Sequence, residues 1–471
     1  MRKKYVNRLV NALKYDVIIV GAGASGIFTA YELIQVNPGL KVLMIEKGHA
    51  LSKRKCPIDN KKIKTCQNCK VCNIVNGFGG SGSMSDGKYN ITNNFGGDLF
   101  KYVGSQEAIE LMQYVDEVNL KMGGEGAKLY STANSQLKTQ ALRNDLHLLD
   151  AQVRHFGTDR NMIILSRMYD YLKDKTEILF DTEVEDISKG EGGFVVTTNQ
   201  DEYKCSSLVL ATGRSGSKWI SSICGKLGIK TQSNRVDIGV RVELPAAIFA
   251  HITDDVYESK IVYRTKKYSD IVRTFCMNPY GEVVTENTNG IMTVNGHSYA
   301  DPKLRTENTN FALLVSNNFT EPFKDSNEYG ESIARLSNML GGGVLVQRFG
   351  DLVTGRRTNE HRLAQSFTKP TLNATPGDLS LVIPKRQLDD IIEMIYALDK
   401  IAPGTANEST LLYGVEVKFY NSRVEVDSNL ETRLKGLYIL GDGSGVTHSL
   451  SQASASGVHV ARIIGRRQEY I

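Results

Sequence analysis

The chain opens with an apolar run that leads into a glycine-rich turn. Residues 16–20 form a short, β-branched run of the kind found in a strand buried on both faces. Residues 27–36 then carry apolar positions at helical spacing, and residues 41–45 return to a strand-like apolar run. This order of strand, turn, helix and strand predicts one βαβ unit at the start of the fold.

The turn at residues 21–26 reads Gly-Ala-Gly-Ala-Ser-Gly, which is the G-x-G-x-x-G pattern. Gly21 permits a tight turn, Gly23 lets the backbone approach a pyrophosphate, and Gly26 lets helix and strand pack closely. The N-terminus of the following helix offers N–H groups to phosphates. Glu46, twenty residues beyond Gly26, ends the second strand and can accept hydrogen bonds from a pair of ribose hydroxyls. These features in this order predict a bound dinucleotide.

A second glycine-rich run lies at residues 76–88, where the density of glycine argues against a regular element. Its small residues let backbone N–H groups and hydroxyls approach a ligand closely. Phe78 and Met84 bracket the run, which favours a ligand-contacting segment over a flexible linker. Helical periodicity follows in residues 106–122 and again in residues 137–150.

The rest of the chain alternates between parallel-strand patterns and a lobe of different character. Residues 162–172 predict a helix, and residues 184–187, 193–198 and 203 predict an antiparallel ribbon with its turn at 190–192. Residues 208–213 and 436–443 predict buried strands that end in small residues. Between them, residues 237–404 mix strands, polar loops and a strong helix at 386–398. We therefore predict a discontinuous dinucleotide domain from residues 1–105, 155–235 and 406–471, a helical insertion at 106–154 and a substrate or cap domain at 236–405.

Composition adds limits to this picture. A length of 471 residues suggests more than one domain, and 41% hydrophobic with 23% charged residues is typical of a soluble globular protein. The net charge of +5 is too small to argue for nucleic acid, and no apolar run approaches the roughly 18 residues of a membrane span. Residues 1–14 lack a signal-peptide pattern and suggest a surface helix, and seven cysteines favour a reducing, cytoplasmic location.

The motifs at residues 21–26, 211–213 and 436–443 resemble those of the glutathione-reductase superfamily of flavoproteins. In that group the flavin domain is assembled from three discontinuous pieces of chain. The resemblance implies FAD and an α/β fold, in which a Rossmann-like FAD-binding domain of discontinuous segments accompanies a second, α+β substrate lobe. More narrowly, residues 79–88, 275–286 and 434–445 are similar to a poorly characterised bacterial family of FAD-dependent dehydrogenases.

The candidate FAD-binding residues combine these glycine patterns with the resemblance. The resemblance implies that Asp442 binds the ribityl chain or the pyrophosphate, and that residues 211–213 pass beside the dinucleotide. The full set is Gly21, Gly23, Ala24, Ser25, Gly26, Glu46, Lys47, Gly79, Gly80, Ser81, Ser83, Val184, Ala211, Thr212, Gly213, Gly441 and Asp442.

A flavin performs hydride and electron transfer itself, so the sequence says less about the reaction. No second glycine fingerprint for NAD(P)H appears, because residues 341–343 precede an apolar run instead of following one. Electrons then enter from the substrate, from transiently bound NAD(P)H or from an electron-donor protein. We predict an FAD-dependent oxidoreductase that acts on an unidentified small organic substrate, with no nucleic-acid or membrane partner. The alternative is a non-catalytic flavin-containing redox sensor or binding protein. Lys88, Tyr280, His297 and His448 could act beside a flavin, but none is assigned as catalytic.

Four cysteines, Cys56, Cys66, Cys69 and Cys72, lie on one short lysine-rich loop. Thiolates suit zinc or iron–sulfur clusters, and four are enough to close either site. The C-x2-C-x2-C spacing is that of bacterial ferredoxins, so we favour an iron–sulfur cluster slightly over zinc. Such a cluster could also give electrons a route to the flavin. A thiol switch and an absence of any role remain the alternatives.

Overall fold

The computed structural model describes residues 13–56, 67, 69–133, 135–288, 290–299, 302–319 and 325–468. Numbered along the chain, its strands are β1 Leu13–Val20, β2 Val42–Ile45, β3 Lys88–Ile91, β4 Leu129–Ser131, β5 Leu146–Leu148, β6 Gln152–His155, β7 Glu177–Leu179, β8 Val184–Gly190, β9 Gly193–Thr198, β10 Glu202–Leu210, β11 Thr231–Gln232, β12 Val236–Pro245, β13 Ile261–Arg264, β14 Ile271–Asn278, β15 Glu282–Thr288, β16 Ile291–His297, β17 Asn308–Asn317, β18 Leu345–Arg348, β19 Thr375–Pro376, β20 Leu411–Phe419, β21 Arg423–Val424 and β22 Leu437–Ile439. The α-helices are α1 Ala24–Val36, α2 Phe100–Val103, α3 Ser105–Asn119, α4 Gln136–Leu142, α5 Gly157–Lys173, α6 Ser217–Leu227, α7 Ala246–Val256, α8 Ser326–Gly341, α9 Phe349–Val353, α10 Glu360–Ala364, α11 Lys385–Asp399 and α12 Leu450–Gln468.

The chain divides into two compact units. The first comprises residues 1–128, 154–232 and 421–471, and the second comprises residues 129–153 and 233–420. Residues 106–154, which we predicted as one helical insertion, are therefore shared between the two units. The α/β fold class is confirmed, with a discontinuous Rossmann-like unit and a second α+β unit.

The first unit is built on a parallel sheet in the order β7-β2-β1-β10-β22. An antiparallel ribbon, β8-β9, continues the sheet beside the first half of β10. One apolar cluster covers the face that α1 and α12 pack against, and a second covers the opposite face, where α6 contributes Ile220 and Ile223. Burial on both faces is the reason the central strands are apolar throughout.

The second unit is built on a mostly antiparallel sheet in the order β19-β18-β20-β12-β17-β14-β13-β5. β12 is its central strand and pairs with β17 and β20 over nearly its whole length. A large apolar cluster, which includes side chains of α7 and α11, covers one face of this sheet. The opposite face carries buried polar side chains, among them Asp237, Arg241 and Glu243, each without measurable exposure.

Several predicted elements end earlier than the sequence pattern suggested. The predicted strands at residues 208–213 and 436–443 stop at Leu210 and Ile439, and a short 3-10 helix follows each, Arg214–Gly216 after the first and Asp442–Ser444 after the second. The predicted helix at residues 137–150 was wrong in its second half, where α4 ends at Leu142 and β5 follows. Lys14 belongs to β1 and not to a surface helix, and residues 1–12 of that prediction lie outside the described residues.

Candidate cofactor site

The three glycines of the first turn differ in what surrounds the position that a side chain would take. Gly21 has a φ of +107°, and a Cβ there would lie 2.7 Å from the Ala211 carbonyl oxygen. A Cβ on Gly26 would lie 1.9 Å from the Gly21 carbonyl oxygen. The packing of the protein itself therefore requires both residues. Gly23 has a φ of −79°, and no atom lies within 4 Å of the position its Cβ would take. Only at Gly23 does the missing side chain leave room for a group that approaches the backbone closely, as a pyrophosphate does.

The N-terminus of α1 adds electrostatics to this room. The helix begins at Ala24, and neither a side-chain cap nor an acidic residue occupies its first turn. Its first N–H groups and the positive end of its dipole suit an anion such as a pyrophosphate. A Cβ on Gly441 would lie 2.5 Å from the Ser25 hydroxyl oxygen, so the last glycine-rich turn abuts the helix at this point.

The structure brings together the three motifs that are far apart in sequence. The Ala211 N–H donates to the Val20 carbonyl at 2.9 Å, which places the end of β10 beside the first turn. The Gly443 N–H donates to the Thr212 carbonyl, also at 2.9 Å. Asp442 keeps 26% of its side chain exposed and lies 3.8 Å from the Arg214 guanidinium. At Gly213, as at Gly23, no atom lies within 4 Å of the position that a Cβ would take.

Backbone N–H groups occupy most of the Glu46 carboxylate. Oε1 accepts the N–H groups of Gly48 and Gly77 at 2.8 and 2.9 Å, and Oε2 accepts the N–H of Ala22 at 2.9 Å. Since a carboxylate oxygen has two lone pairs, Oε1 is saturated and Oε2 retains one. Glu46 thus connects both glycine-rich segments and keeps one lone pair of Oε2 for a ribose hydroxyl, and its predicted contact with a ribose hydroxyl pair remains a prediction.

The second glycine-rich run contains the short 3-10 helix Gly80–Met84 and is tied to the first turn by the Gly79 N–H, which donates to the Ala22 carbonyl at 2.8 Å. Gly79 and Gly80 both have positive φ, and Ser81 is exposed. Ser83 is fully buried, and its hydroxyl donates to the Gly80 carbonyl, so this side chain braces the segment internally.

Arg54, which was not a candidate in the sequence, holds this run in place. Its side chain is 5% exposed and donates to the carbonyls of Asn73, Ile74 and Phe78 at 2.7–3.0 Å and to the Ser83 hydroxyl. Burial lowers the pKa of Arg54 to about 10, which leaves the group charged at neutral pH. A single arginine among many lysines of one loop gave no signal in the sequence.

A buried ionic cluster follows the same run. The Asp86 carboxylate lies 3.2 Å from the Lys88 ammonium and 3.6 Å from His155 Nε2, and all three side chains are less than 15% exposed. Burial raises the pKa of Asp86, but the charges of Lys88 and His155 outweigh it and hold that pKa well below its usual range. Such a carboxylate can orient a lysine or histidine for proton transfer. His155 was not a candidate in the sequence, because it lies at the end of β6, far along the chain from residues 76–88.

The positions of two predicted contact residues, Val184 and Lys47, do not bear on whether they contact the cofactor. Val184 begins β8, and its side chain is buried in the apolar core of the first unit. Lys47 is half-buried directly after Glu46. Their predicted contacts with the cofactor remain predictions.

The cysteine loop is described only in part. Cys69 is exposed, Cys56 and Cys72 are half-buried, and Cys66 lies outside the described residues. Among the residues that the structure does describe, no group of three or more His, Cys, Asp or Glu side chains is placed to hold a metal ion. The iron–sulfur or zinc site therefore stays a prediction. None of the helices in the described ranges combines the length and apolarity that a membrane crossing requires.

Comparison with known families gives two partial matches. The model described as "FAD-dependent protein, C-terminal domain-like" matches residues 236–419, and the Thi4 family model matches residues 1–52. The first match agrees, over residues 236–419, with the predicted resemblance to FAD-dependent proteins. The narrower identification, a bacterial dehydrogenase family, stays a prediction.

Individual relatives cover little of the chain. The thiamine thiazole synthases of Phaeosphaeria nodorum and Coprinopsis cinerea are each 42% identical over 50 residues, which is 11% of this chain and 15–16% of those proteins. Among solved structures, glycine oxidase from Geobacillus kaustophilus aligns with 97% of this chain and 95% of its own, at 12% identity and a TM-score of 0.41. L-proline dehydrogenase from P. horikoshii covers the same shares of the two chains at 12% identity and a TM-score of 0.40.

Proposed function

We propose that this chain binds FAD in its first unit and is an FAD-dependent oxidoreductase that acts on a small organic substrate. The observation that carries the proposal is the convergence at Gly23, where a glycine that the fold does not need lies at the N-terminus of α1, beside Ser25 and Gly441. The match of residues 236–419 to FAD-dependent proteins supports FAD as the dinucleotide. The Thi4-family match covers residues 1–52, which include the first turn, and it leaves both the cofactor and the substrate open.

The residues present fit the cofactor in three places. The backbone of Gly23 to Ser25 would hold the pyrophosphate, Glu46 Oε2 would accept one ribose hydroxyl, and Asp442 would accept a hydroxyl or face the pyrophosphate through Arg214. Bound FAD would supply hydride and electron transfer. The protein would supply orientation through Glu46, which joins the two glycine-rich segments, and through Arg54, which holds the second of them in place.

The test of cofactor binding compares a glycine of the first turn with a glycine of α6. Gly23 and Gly225 both have open space at the Cβ position, and Gly225 lies exposed on α6 of the same unit. We expect Gly23→Val to abolish FAD retention while leaving the fold intact, and Gly225→Val to retain FAD. Absorbance at the flavin bands and dissociation constants for FAD measure both variants. A Gly23→Val protein that stays fully yellow would refute the proposed placement.

The source of the electrons is tested separately. Anaerobic titration of the yellow protein with NADH, NADPH and dithionite, followed in the visible spectrum, separates the routes. Reduction by a pyridine nucleotide at catalytic rates supports a transient NAD(P)H donor. Reduction by dithionite alone favours the substrate or an electron-donor protein.

A further inference from the structure

Three arginines of the second unit meet at one buried carboxylate. Asp351, in the first turn of α9, has no measurable exposure and accepts the Arg356 Nε–H at 2.6 Å and the Thr358 hydroxyl at 2.7 Å. Its carboxylate also lies 3.8 Å from Arg348 Nη1 and 3.9 Å from Arg362 Nε. A single negative charge therefore lies within 4 Å of three guanidinium groups.

The three guanidinium groups keep most of their hydrogen-bonding capacity. Each guanidinium carries five N–H donors. Arg356 uses one of them on Asp351, and Arg362 uses one on the Arg357 carbonyl at 2.6 Å. Arg348 uses none on any residue that the structure describes, although its side chain is only 14% exposed and its Nε is buried. Burying a cation without hydrogen-bond acceptors is costly, so a further anion would stabilise this arrangement.

The neighbouring carboxylates do not satisfy these donors. The other carboxylates of residues 345–378 and 404–411 belong to Glu360, Asp378 and Glu408. Both glutamates are exposed, and Asp378 accepts the Ser380 N–H at 2.9 Å. Within the described ranges, none of the three carboxylates forms an ion pair with an arginine of the cluster. The remaining cations of the same stretch are the exposed Arg357 and Lys369.

The backbone around Asp351 holds the arginines in place. The Thr358 hydroxyl accepts the Arg348 N–H at 2.9 Å while it donates to Asp351, so it joins the end of β18 to the loop that follows α9. Gln347 Nε2 donates to the Arg356 carbonyl at 2.9 Å, and the Arg356 N–H donates to the Asp351 carbonyl at 3.0 Å. The cluster is therefore organised before any ligand arrives.

The cluster is open to solvent. The side chains of Arg356 and Arg362 are 53% and 32% exposed. Their Nε atoms lie 2.6 and 3.9 Å from the same Asp351 oxygen, so the two guanidinium groups are neighbours. A ligand can reach them at the surface without entering an enclosed cavity.

We propose that Arg348, Arg356 and Arg362 form a binding site for a phosphate group. A phosphate group offers several acceptor oxygens, and arginine forks bind it through paired, charge-assisted hydrogen bonds. Asp351 holds Nε of Arg356, which leaves the Nη groups of that fork to the ligand. A carboxylate ligand has two acceptor oxygens and one charge, so it satisfies fewer of the donors. The site belongs to the second unit and does not depend on bound FAD.

The test compares anions on the purified, FAD-loaded protein, in which the cofactor occupies its own site. Inorganic phosphate, phenyl phosphate and acetate are titrated by calorimetry at constant ionic strength in a phosphate-free buffer. We expect both phosphate ligands to bind at least tenfold more tightly than acetate. Tighter binding of phenyl phosphate identifies a phosphate ester as the ligand, and tighter binding of inorganic phosphate identifies the free ion.

Variants of the exposed arginines assign that binding to the cluster. Arg356→Gln and Arg362→Gln should each weaken phosphate binding about tenfold, the effect of losing one charge-assisted hydrogen bond. Arg335→Gln is the matched control, because Arg335 is an exposed arginine of the same unit that pairs with Glu331 on α8. It should change phosphate affinity less than twofold. Melting temperatures verify that each variant is folded, and either test variant serves where the other is not.

The flavin absorbance of the same samples keeps the two proposals apart. Equal affinity for phosphate and acetate, or phosphate affinity that Arg356→Gln and Arg362→Gln leave unchanged, would overturn the phosphate site. A yellow protein with either result would leave the flavoprotein proposal standing. A colourless protein that cannot take up FAD but binds phosphate through Arg356 would overturn the proposed function and leave the phosphate site.

Discussion

At the scale of single residues, the glycine pattern carried more information than the polar residues did. Gly21, Gly23 and Gly26 occupy the places that their spacing predicted, because backbone conformation and close packing leave few alternatives. The partners of polar side chains depend on segments that are distant in sequence. For that reason the internal roles of Glu46 and Ser83 could not be predicted.

Glu46→Gln tests the arrangement of that carboxylate. The amide nitrogen of glutamine cannot accept a hydrogen bond, so at least one buried N–H of Ala22, Gly48 or Gly77 would lose its acceptor. We expect a loss of about 1–3 kcal/mol of stability, together with weaker FAD binding, because both glycine-rich segments depend on this group. Thermal unfolding and an FAD titration measure the two effects. An unchanged melting temperature would contradict the three hydrogen bonds.

Asp390 on α11 gives a prediction about pH. Its carboxyl is fully buried, and that burial, with the neighbouring Asp270 carboxylate, raises its pKa to about 6. The folded state therefore holds the proton more tightly than the unfolded state does. Its contribution to stability is fully present below about pH 4 and is lost as the pH rises through 6.

Asp390→Asn should consequently stabilise the protein at pH 7.5 by about 1–3 kcal/mol and change it little at pH 4. Asp389 is the matched control on the same helix. Lys267 and Lys385 outweigh its burial and lower its pKa, so Asp389→Asn should destabilise the protein at pH 7.5. Melting temperatures of the three proteins at both pH values decide the matter. Parallel pH profiles for wild type and Asp390→Asn would show that Asp390 has an ordinary pKa.

At the scale of elements, long periodic segments were predictable and short ones were not. The helices α5 and α11 cover the predicted ranges 162–172 and 386–398, since each buries one face along its length. Residues 137–150 failed because Leu146 and Leu148 fit a helix as well as a strand. In the structure they face inward from β5, whose pairing with β13 supplies the contacts that decide the outcome.

Arg54 allows a test of how one side chain supports a whole segment. Arg54→Met would leave the carbonyls of Asn73, Ile74 and Phe78 without this donor. We expect it to weaken FAD binding at least tenfold and to cost about 1–3 kcal/mol of stability. Arg54→Lys, which keeps the charge and some of the hydrogen bonds, should fall between Arg54→Met and wild type.

Lys53→Met is the control for that series, because Lys53 is an exposed neighbour. It should match wild type in both measurements. If Arg54→Met bound FAD as tightly as the wild-type protein does, the Arg54 guanidinium would stabilise residues 73–83 without contributing to cofactor binding.

At the scale of the whole molecule, the assembly of the first unit from three pieces of chain could be predicted, because the same sequence pattern recurs in each piece. An apolar strand that ends in small residues appears near residues 20, 210 and 440, and all three strands lie in one sheet. The division of residues 106–154 was not visible. Residues 129–153 join the second unit through β5, whose pairing partner β13 is more than a hundred residues away in sequence.

Cofactor binding should show in the stability of the whole protein. A ligand that binds only the folded state adds RT ln(1 + [L]/Kd), which is about 2.7 kcal/mol at a concentration of 100 Kd and about 1.4 kcal/mol more for each further tenfold. The melting temperature of protein stripped of FAD should therefore rise with the logarithm of added FAD. Gly23→Val should remove this dependence, and Gly225→Val should keep it, because only the first places a side chain where the pyrophosphate is expected. A melting temperature that ignores FAD in the wild-type protein would show that Gly23 and α1 do not form a site for that cofactor.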